Sequence, residues 1–255
     1  MKFTHAALTL TAALILGGCK DDSKTQSSSP PPVISEPAPV PTPPTTPPTT
    51  TPPALSTSSE PVAPAGYTVT KFLSKDPVRT FKEAPYVLKD KTDYAVVIET
   101  DVGRMVLDLY EDDTPTTVNS FVWLTLHHYY DGIAFHRVLE GFVVQGGDPN
   151  TLNADPSLWG QGGAGYEFGL EIRKKYKYDS KGVLGMARTQ DPNSNGSQFY
   201  ITLAPAANLD GQYTIFGKVT EGLDVLDKVQ RSVGDAPPTT PTRMTRVFIV
   251  EKPVK

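Results

Sequence analysis

The strongest limit on what this chain can build is a run of 47 residues, 20–66, of which 14 are Pro and 16 are Ser or Thr. Almost no large apolar side chains interrupt it. Such a stretch buries too little surface to offset the entropy of ordering it, so it is read as a disordered linker. Proline-rich chain favours extended polyproline II at ~3.1 Å per residue, so the run could reach on the order of 100 Å. It reads as a stalk; a PxxP spacing at Pro41-Thr42-Pro43-Pro44 leaves open a ligand for proline-reading modules. Residues 67–255 remain, 189 of 255, a normal size for one domain with a core.

The chain ahead of the run reads as an address. Lys2 supplies a positive charge, and residues 6–16 are apolar but too short to span a bilayer. Residues 1–18 are therefore expected to be a signal peptide. The stretch Leu16-Gly17-Gly18-Cys19 resembles the bacterial lipobox, in which the signal is cut before a cysteine that becomes lipidated. Cys19 is the only thiol in the chain, so no intrachain disulfide or multi-cysteine metal site is available. An ordinary secretory signal with an incidental Cys is the alternative. The lipobox implies an exported, membrane-anchored lipoprotein facing the periplasm or the cell exterior. No apolar run reaches the roughly 18 residues of a membrane helix. A net charge of −4 argues against a nucleic-acid partner, which calls for a basic patch or stripe.

From Tyr94 the pattern becomes β-rich. Segments 94–100 and 104–110 are separated by Asp101-Val102-Gly103, a hairpin turn. Thr114 before Pro115 reads as a helix N-cap and first position, and Val118, Phe121, Val122 and Leu126 then share one helical face. Short strands are predicted near 133–138, 142–145, 183–187, 198–203, 213–219 and 246–251. Leu223, Leu226 and Val229 mark a second short helix. Many short strands without regular βα alternation point to an antiparallel barrel or sandwich. Residues 67–91 show a weaker pattern and are predicted to be an extension, packed on the domain or partly loose. The domain proper is placed at 92–255.

Several motifs suggest chemistry without its context. Residues 160–165 fit GxGxxG, but no helix signal follows, so they read as a mobile glycine loop. Residues 211–218 nearly fit a P-loop with the wrong spacing. His127, His128 and His136 lack the spacing of a metal site, and helix-end and core roles are expected for them. No GxSxG is present.

Three blocks stand out. Residues 135–148, FHRVLEGFVVQGGD, place an Arg and a Gln among large apolar residues in an expected core strand, where polar groups are costly without partners. Residues 185–201 place Gln198 beside aromatics, and residues 208–217, NLDGQYTIFG, follow. On these residues the chain resembles the cyclophilins, peptidyl-prolyl cis/trans isomerases, over about residues 94–252. The resemblance implies a mostly β fold: an eight-stranded antiparallel β-barrel capped by two α-helices. It implies a catalytic Arg137 oriented by Gln145, and a substrate groove containing Phe142, Val143, Ala187, Arg188, Gln198, Tyr200, Leu209 and Tyr213. The implied substrates are proline-containing polypeptides, here exported proteins being folded. A monomer needing no metal or cofactor is expected.

The chain departs from the family pattern at several of these positions. Val143 stands where Met is common, Tyr200 replaces a pocket Phe, Tyr213 a pocket His, and Arg188 an Asn. Asn208 falls where eukaryotic members carry a Trp important for cyclosporin binding, so weaker cyclosporin inhibition is expected. Residues 152–159 look like an insertion. A module that binds proline segments with little turnover is the second reading.

Overall fold

The computed structural model describes residues 60–234 and 236–254. The signal-like segment, Cys19 and the run up to residue 59 lie outside the described residues.

Strands β2 (Thr92–Thr100) and β3 (Gly103–Leu109) form the expected hairpin, with Thr100 opposite Gly103. The Thr100 hydroxyl closes the turn, donating to the Gly103 carbonyl at 2.7 Å. Beyond helix α1 (Pro115–Leu126) come β4 (Arg137–Leu139), β5 (Val143–Gly146), β6 (Val183–Met186), β7 (Phe199–Thr202) and β8 (Ile215–Glu221). Short helix α2 (Val225–Lys228) and β9 (Met244–Pro253) follow, and a two-residue strand β1 (Thr68–Val69) precedes them all. The described residues form one antiparallel sheet in the order β1-β9-β2-β3-β8-β6-β7-β5-β4.

This corrects the expected eight-stranded barrel in two respects. The sheet has nine strands, because β1 from the N-terminal extension pairs with β9 at Glu251 and Val250. Nor is it closed. From β4 to the β9 side the ladder gives way to a single bridge, Ala134 with Arg243, flanked by Phe135 N–H to the Thr242 carbonyl at 2.9 Å. The outer edge of β9 is instead taken near its end by β1. Of the expected strand 133–138 only Arg137 and Val138 are strand, in β4.

Alternation along the strands sorts side chains into three apolar clusters. Tyr94, Val96 and Ile98 of β2 enter the main core with Phe121, Phe135, Phe199 and Phe216. Their neighbours Ala95 and Val97 face the other way, against Phe248, Val250 and the extension residues Tyr67, Val69 and Phe72. Both faces of β2 are thus covered, which is why it reads as an unbroken apolar run.

Helix α1 begins at Pro115 as predicted, but Thr114 does not cap it. The Thr114 hydroxyl returns to the Tyr110 carbonyl at 3.1 Å. The carboxylate of Glu171 caps it instead, accepting from Thr116 N–H at 3.1 Å and Thr117 N–H at 2.7 Å. A negative group is favoured at that end by the free N–H groups and the helix dipole.

The extension packs on the domain throughout its described length. Leu73 N–H and Val78 N–H donate to the Leu126 and His127 carbonyls at 2.8 and 3.0 Å, extending the hydrogen bonding past the end of α1. Phe72 stacks on His128 at 3.9 Å, and Phe81 meets the edges of Trp123 and His127. Buried Asn119 grips the strap with both ends of its amide: its Oδ1 accepts from Val87 N–H at 2.7 Å, and its Nδ2 donates to the Pro85 carbonyl at 3.1 Å. Among the described residues no helix is long and apolar enough to cross a membrane.

Candidate active site

The site grows from the face of β5 and β7 that turns away from the main core. Val144, Phe199 and Ile201 point into the core. Val143 and Tyr200, one residue away on the same strands, join Tyr178, Val183, Leu209 and Ile215 in a second apolar cluster, with Phe142, Ala187 and Tyr213 at its partly exposed edge. The structure therefore gathers six of the predicted groove residues around one apolar surface.

Arg137 opens β4 directly opposite Gln145 of β5. Its Nη1 donates to Gln145 Oε1 at 3.4 Å. Gln145 Nε2 donates to Gln198 Oε1 at 3.0 Å, and Gln198 Nε2 donates to the carbonyls of Gly160 and Gly162 at 3.0 and 2.9 Å. The chain of donors has one polarity. Backbone carbonyls fix the orientation of Gln198, which fixes Gln145, which presents an oxygen to the guanidinium. Arg137 is half-buried at the border of the apolar cluster, tethered on one side and with donors to spare.

A cleft of about 770 Å³ adjoins this surface, lined by Gln145, Gln198, Ala187, Arg188 and residues of the 160–167 loop. Arg137, Phe142, Val143, Tyr200, Leu209 and Tyr213 do not line it. Of the apolar cluster's residues, Ala187 also lines the cleft. Arg188 is spent on structure: its guanidinium donates to the carbonyls of Gln212, Thr189 and Gln190 and lies 4.6 Å over the Tyr213 ring. Asn208 is exposed beside them.

Tyr200 keeps its hydroxyl out of the apolar surface. It donates to the buried Tyr178 hydroxyl at 2.8 Å, which donates to the Thr214 carbonyl at 3.4 Å. Burial, reinforced by Tyr178, pushes the Tyr200 phenol far above its ordinary range, so it stays neutral. Gly185 makes room for the pair, since a Cβ there would lie 2.4 Å from Tyr178 Oη and 2.6 Å from Tyr200 Cζ.

Two supporting residues escaped the reading of the sequence. Tyr178 carries no motif. Asp148 ends the GGD block and is fully buried; its carboxylate accepts from Asn150 N–H at 2.7 Å and from Gly160 N–H, pinning the glycine loop whose carbonyls hold Gln198. Its place after two glycines was the available signal. The 160–165 loop is a cleft wall with no helix behind it. Residues 152–159 hold the last residue of one short 3-10 turn (Pro149–Leu152) and the whole of a second (Pro156–Leu158), whose caps Asp148 and Asp155 each accept a backbone N–H. The three histidines go separate ways. His127 Nδ1 lies 2.8 Å from the Trp123 carbonyl, His128 Nδ1 2.8 Å from Asp131, and His136 is buried with neither ring nitrogen partnered. Among the described residues no cluster of three or more His, Cys, Asp or Glu is placed to hold a metal.

Comparison with known proteins agrees with this architecture. The family described as cyclophilin type peptidyl-prolyl cis-trans isomerase matches residues 95–249. A peptidyl-prolyl cis-trans isomerase of Arabidopsis thaliana is 40% identical over 164 residues, 63% of this chain and 98% of that protein. A peptidyl-prolyl cis-trans isomerase-like protein of Rhizopus delemar is 39% identical over 62% of this chain and 88% of its own. Among solved structures, a Cryptosporidium parvum cyclophilin type peptidyl-prolyl cis-trans isomerase aligns with a TM-score of 0.56 and 33% identity, covering 62% of this chain and 97% of that one. The same protein solved in the presence of the dipeptide Ala-Pro aligns with a TM-score of 0.55. On the family match over residues 95–249 and the 40% identity to a relative covered over 98% of its length, this chain belongs to the cyclophilin family of peptidyl-prolyl cis-trans isomerases.

Proposed function

We propose that Arg137 drives the isomerisation and that the enzyme works at the cell envelope on exported polypeptides. The observation that carries the first half is the directed chain Gly160/Gly162–Gln198–Gln145–Arg137 at the edge of an apolar surface. Turning an X-Pro amide means breaking its C–N resonance, against a barrier of ~18–20 kcal/mol. In the twisted state the prolyl nitrogen recovers a lone pair. A guanidinium donor held where that lone pair appears stabilises the twisted amide more than the planar one, which is the condition for catalysis. Its fixed fork of donors suits the task better than a single flexible ammonium. Val143, Tyr200 and Leu209, with Phe142 at the edge, hold the proline ring, and the adjoining cleft takes the neighbouring residues. No proton or electron pair leaves the substrate, so the reaction needs only position and charge.

The second half rests on the sequence of residues 1–66: Lys2, the apolar run, the lipobox-like Cys19 and the Pro/Thr stalk. Uncatalysed isomerisation takes tens to hundreds of seconds and limits folding, so proteins folding after export are the fitting clients.

Phe142→Ala should raise KM for a proline peptide several-fold in a protease-coupled isomerase assay, because the ring contacts substrate and twisted state alike; unchanged KM would remove Phe142 from the pocket. Cys19→Ala should abolish incorporation of a fatty-acid probe and release the protein from membrane pellets. Continued labelling of that variant would overturn the lipoprotein reading.

A further inference from the structure

The N-terminal strap touches the isomerase site at one place, and that place is built. The guanidinium of Arg79 enters the turn that follows α1 and donates to three carbonyl groups there: His128 at 2.9 Å, Tyr129, and Asp131 at 2.7 Å. Burial lowers its pKa, offset by Asp131 and Tyr129, so the charge is held by carbonyls rather than by water. Two residues on, Phe81 N–H donates to the carbonyl of Ala164 at 2.7 Å. Ala164 is in the middle of the glycine loop. The next residue, Gly165, has φ +95°, and a Cβ on it would lie 2.6 Å from the Phe81 carbonyl oxygen, so strap and loop are in direct backbone contact.

Two lines of hydrogen bonds lead from this anchor to Gln198. In one, Phe81 fixes the glycine loop, whose Gly160 and Gly162 carbonyls hold the Gln198 amide. In the other, the turn clamped by Arg79 carries Tyr129, whose hydroxyl lies 2.8 Å from Ser197 Oγ, and that hydroxyl donates in turn to the Gly147 carbonyl at 2.8 Å. Tyr130 of the same turn donates to the Ser197 carbonyl at 3.2 Å. Both flanks of Gln198 therefore depend on a segment outside the region matched by the family, which begins at residue 95.

We propose that Arg79, through the backbone bond of Phe81 to Ala164, is a positioning residue for the isomerase site: it sets the glycine loop and so aligns Gln198, Gln145 and Arg137. The proposal rests on the assignment of catalysis to Arg137. It makes the strap part of the enzyme rather than a spacer between stalk and domain.

The test compares the full chain with its Arg79→Ala and Arg79→Lys variants, well below their melting temperatures. Displacing a catalytic group by a fraction of an ångström costs rate, so kcat should fall roughly tenfold in Arg79→Ala, with peptide KM within about twofold. Arg79→Lys keeps the charge but not the fork, and should recover part of the loss. In NMR spectra the side-chain amide signals of Gln145 and Gln198 should shift and exchange faster with solvent in Arg79→Ala. A purely structural Arg79 predicts a lower melting temperature with kcat and both amide signals unchanged in the folded protein, and that result overturns the proposal. If Arg79→Ala does not fold, Arg79→Lys decides: wild-type kcat and wild-type amide signals would refute it. The amide signals report the alignment whether or not Arg137 is catalytic. Normal turnover by Arg137→Ala would therefore refute that assignment alone.

Discussion

Val144, Phe199 and Ile201 end in the main core, while their chain neighbours Val143 and Tyr200 end in the second cluster on the other face of β5 and β7. The core face is sealed: Phe199 is 0% exposed, with Phe121 and Tyr130 ring centroids at 5.4 and 5.6 Å. The opposite face is left open on one side, with half-exposed Phe142 and Tyr213 at its edge and Arg137, Gln145 and Gln198 along its border. One pleat separates the residues of the main core from those proposed to meet the substrate. The open face is affordable because its polar groups are partnered with one another and with backbone.

The comparison is broken most forcefully from the core side. Phe199→Ala should cost about 3–5 kcal/mol of stability, the usual cost of removing a buried Phe. Urea unfolding measures it, and molecules still folded should turn over normally. A loss of turnover in folded Phe199→Ala would mean that the two faces are not independent. On the neighbouring residue, Tyr200→Phe removes one buried hydrogen bond to Tyr178 and leaves the ring in the second apolar cluster. It should cost about 1 kcal/mol or less and leave kcat/KM within about twofold. A large change in kcat/KM would show that the hydroxyl, not only the ring, works in the site.

The smallest expected effect concerns His136, buried beside the glycine loop. Burial, with Arg137 adding to it, lowers the His136 pKa, against an opposing pull from Asp148. Neither ring nitrogen has a partner, so the folded state holds the neutral form. As pH falls below the unfolded value of about 6.5, the unfolded chain takes a proton that the folded chain refuses, and stability declines until the folded pKa is passed. The melting temperature should therefore drop less between about pH 7.5 and about pH 5.5 in His136→Leu than in the unsubstituted chain. An identical drop in both would show that His136 does not titrate differently on folding.

Much of this was legible in the sequence, for local reasons. The β2–β3 hairpin follows from alternation around Asp101-Val102-Gly103, and α1 from Pro115 and the spacing of Val118, Phe121 and Val122. The three motif blocks named residues that the structure gathers in one apolar cluster, among them Phe142, Val143 and Tyr200. What stayed hidden is non-local. Glu171 caps a helix 54 residues away in sequence, and no spacing rule connects it to Thr117. The strap's Phe72 and Phe81 dock singly, at neither strand nor helix period. β1 pairs with β9 across 183 residues of sequence, Thr68 opposite Glu251.

The central claim is that Arg137 acts on the twisted amide and not on the fold. In Arg137→Ala, turnover in the isomerase assay should fall by about 10²–10³, in line with loss of a preorganised donor worth roughly 2.7–4 kcal/mol. Peptide affinity and melting temperature should stay close to those of the unsubstituted chain. Near-normal turnover in a well-folded Arg137→Ala protein, or losses of turnover, affinity and stability in proportion, would contradict it.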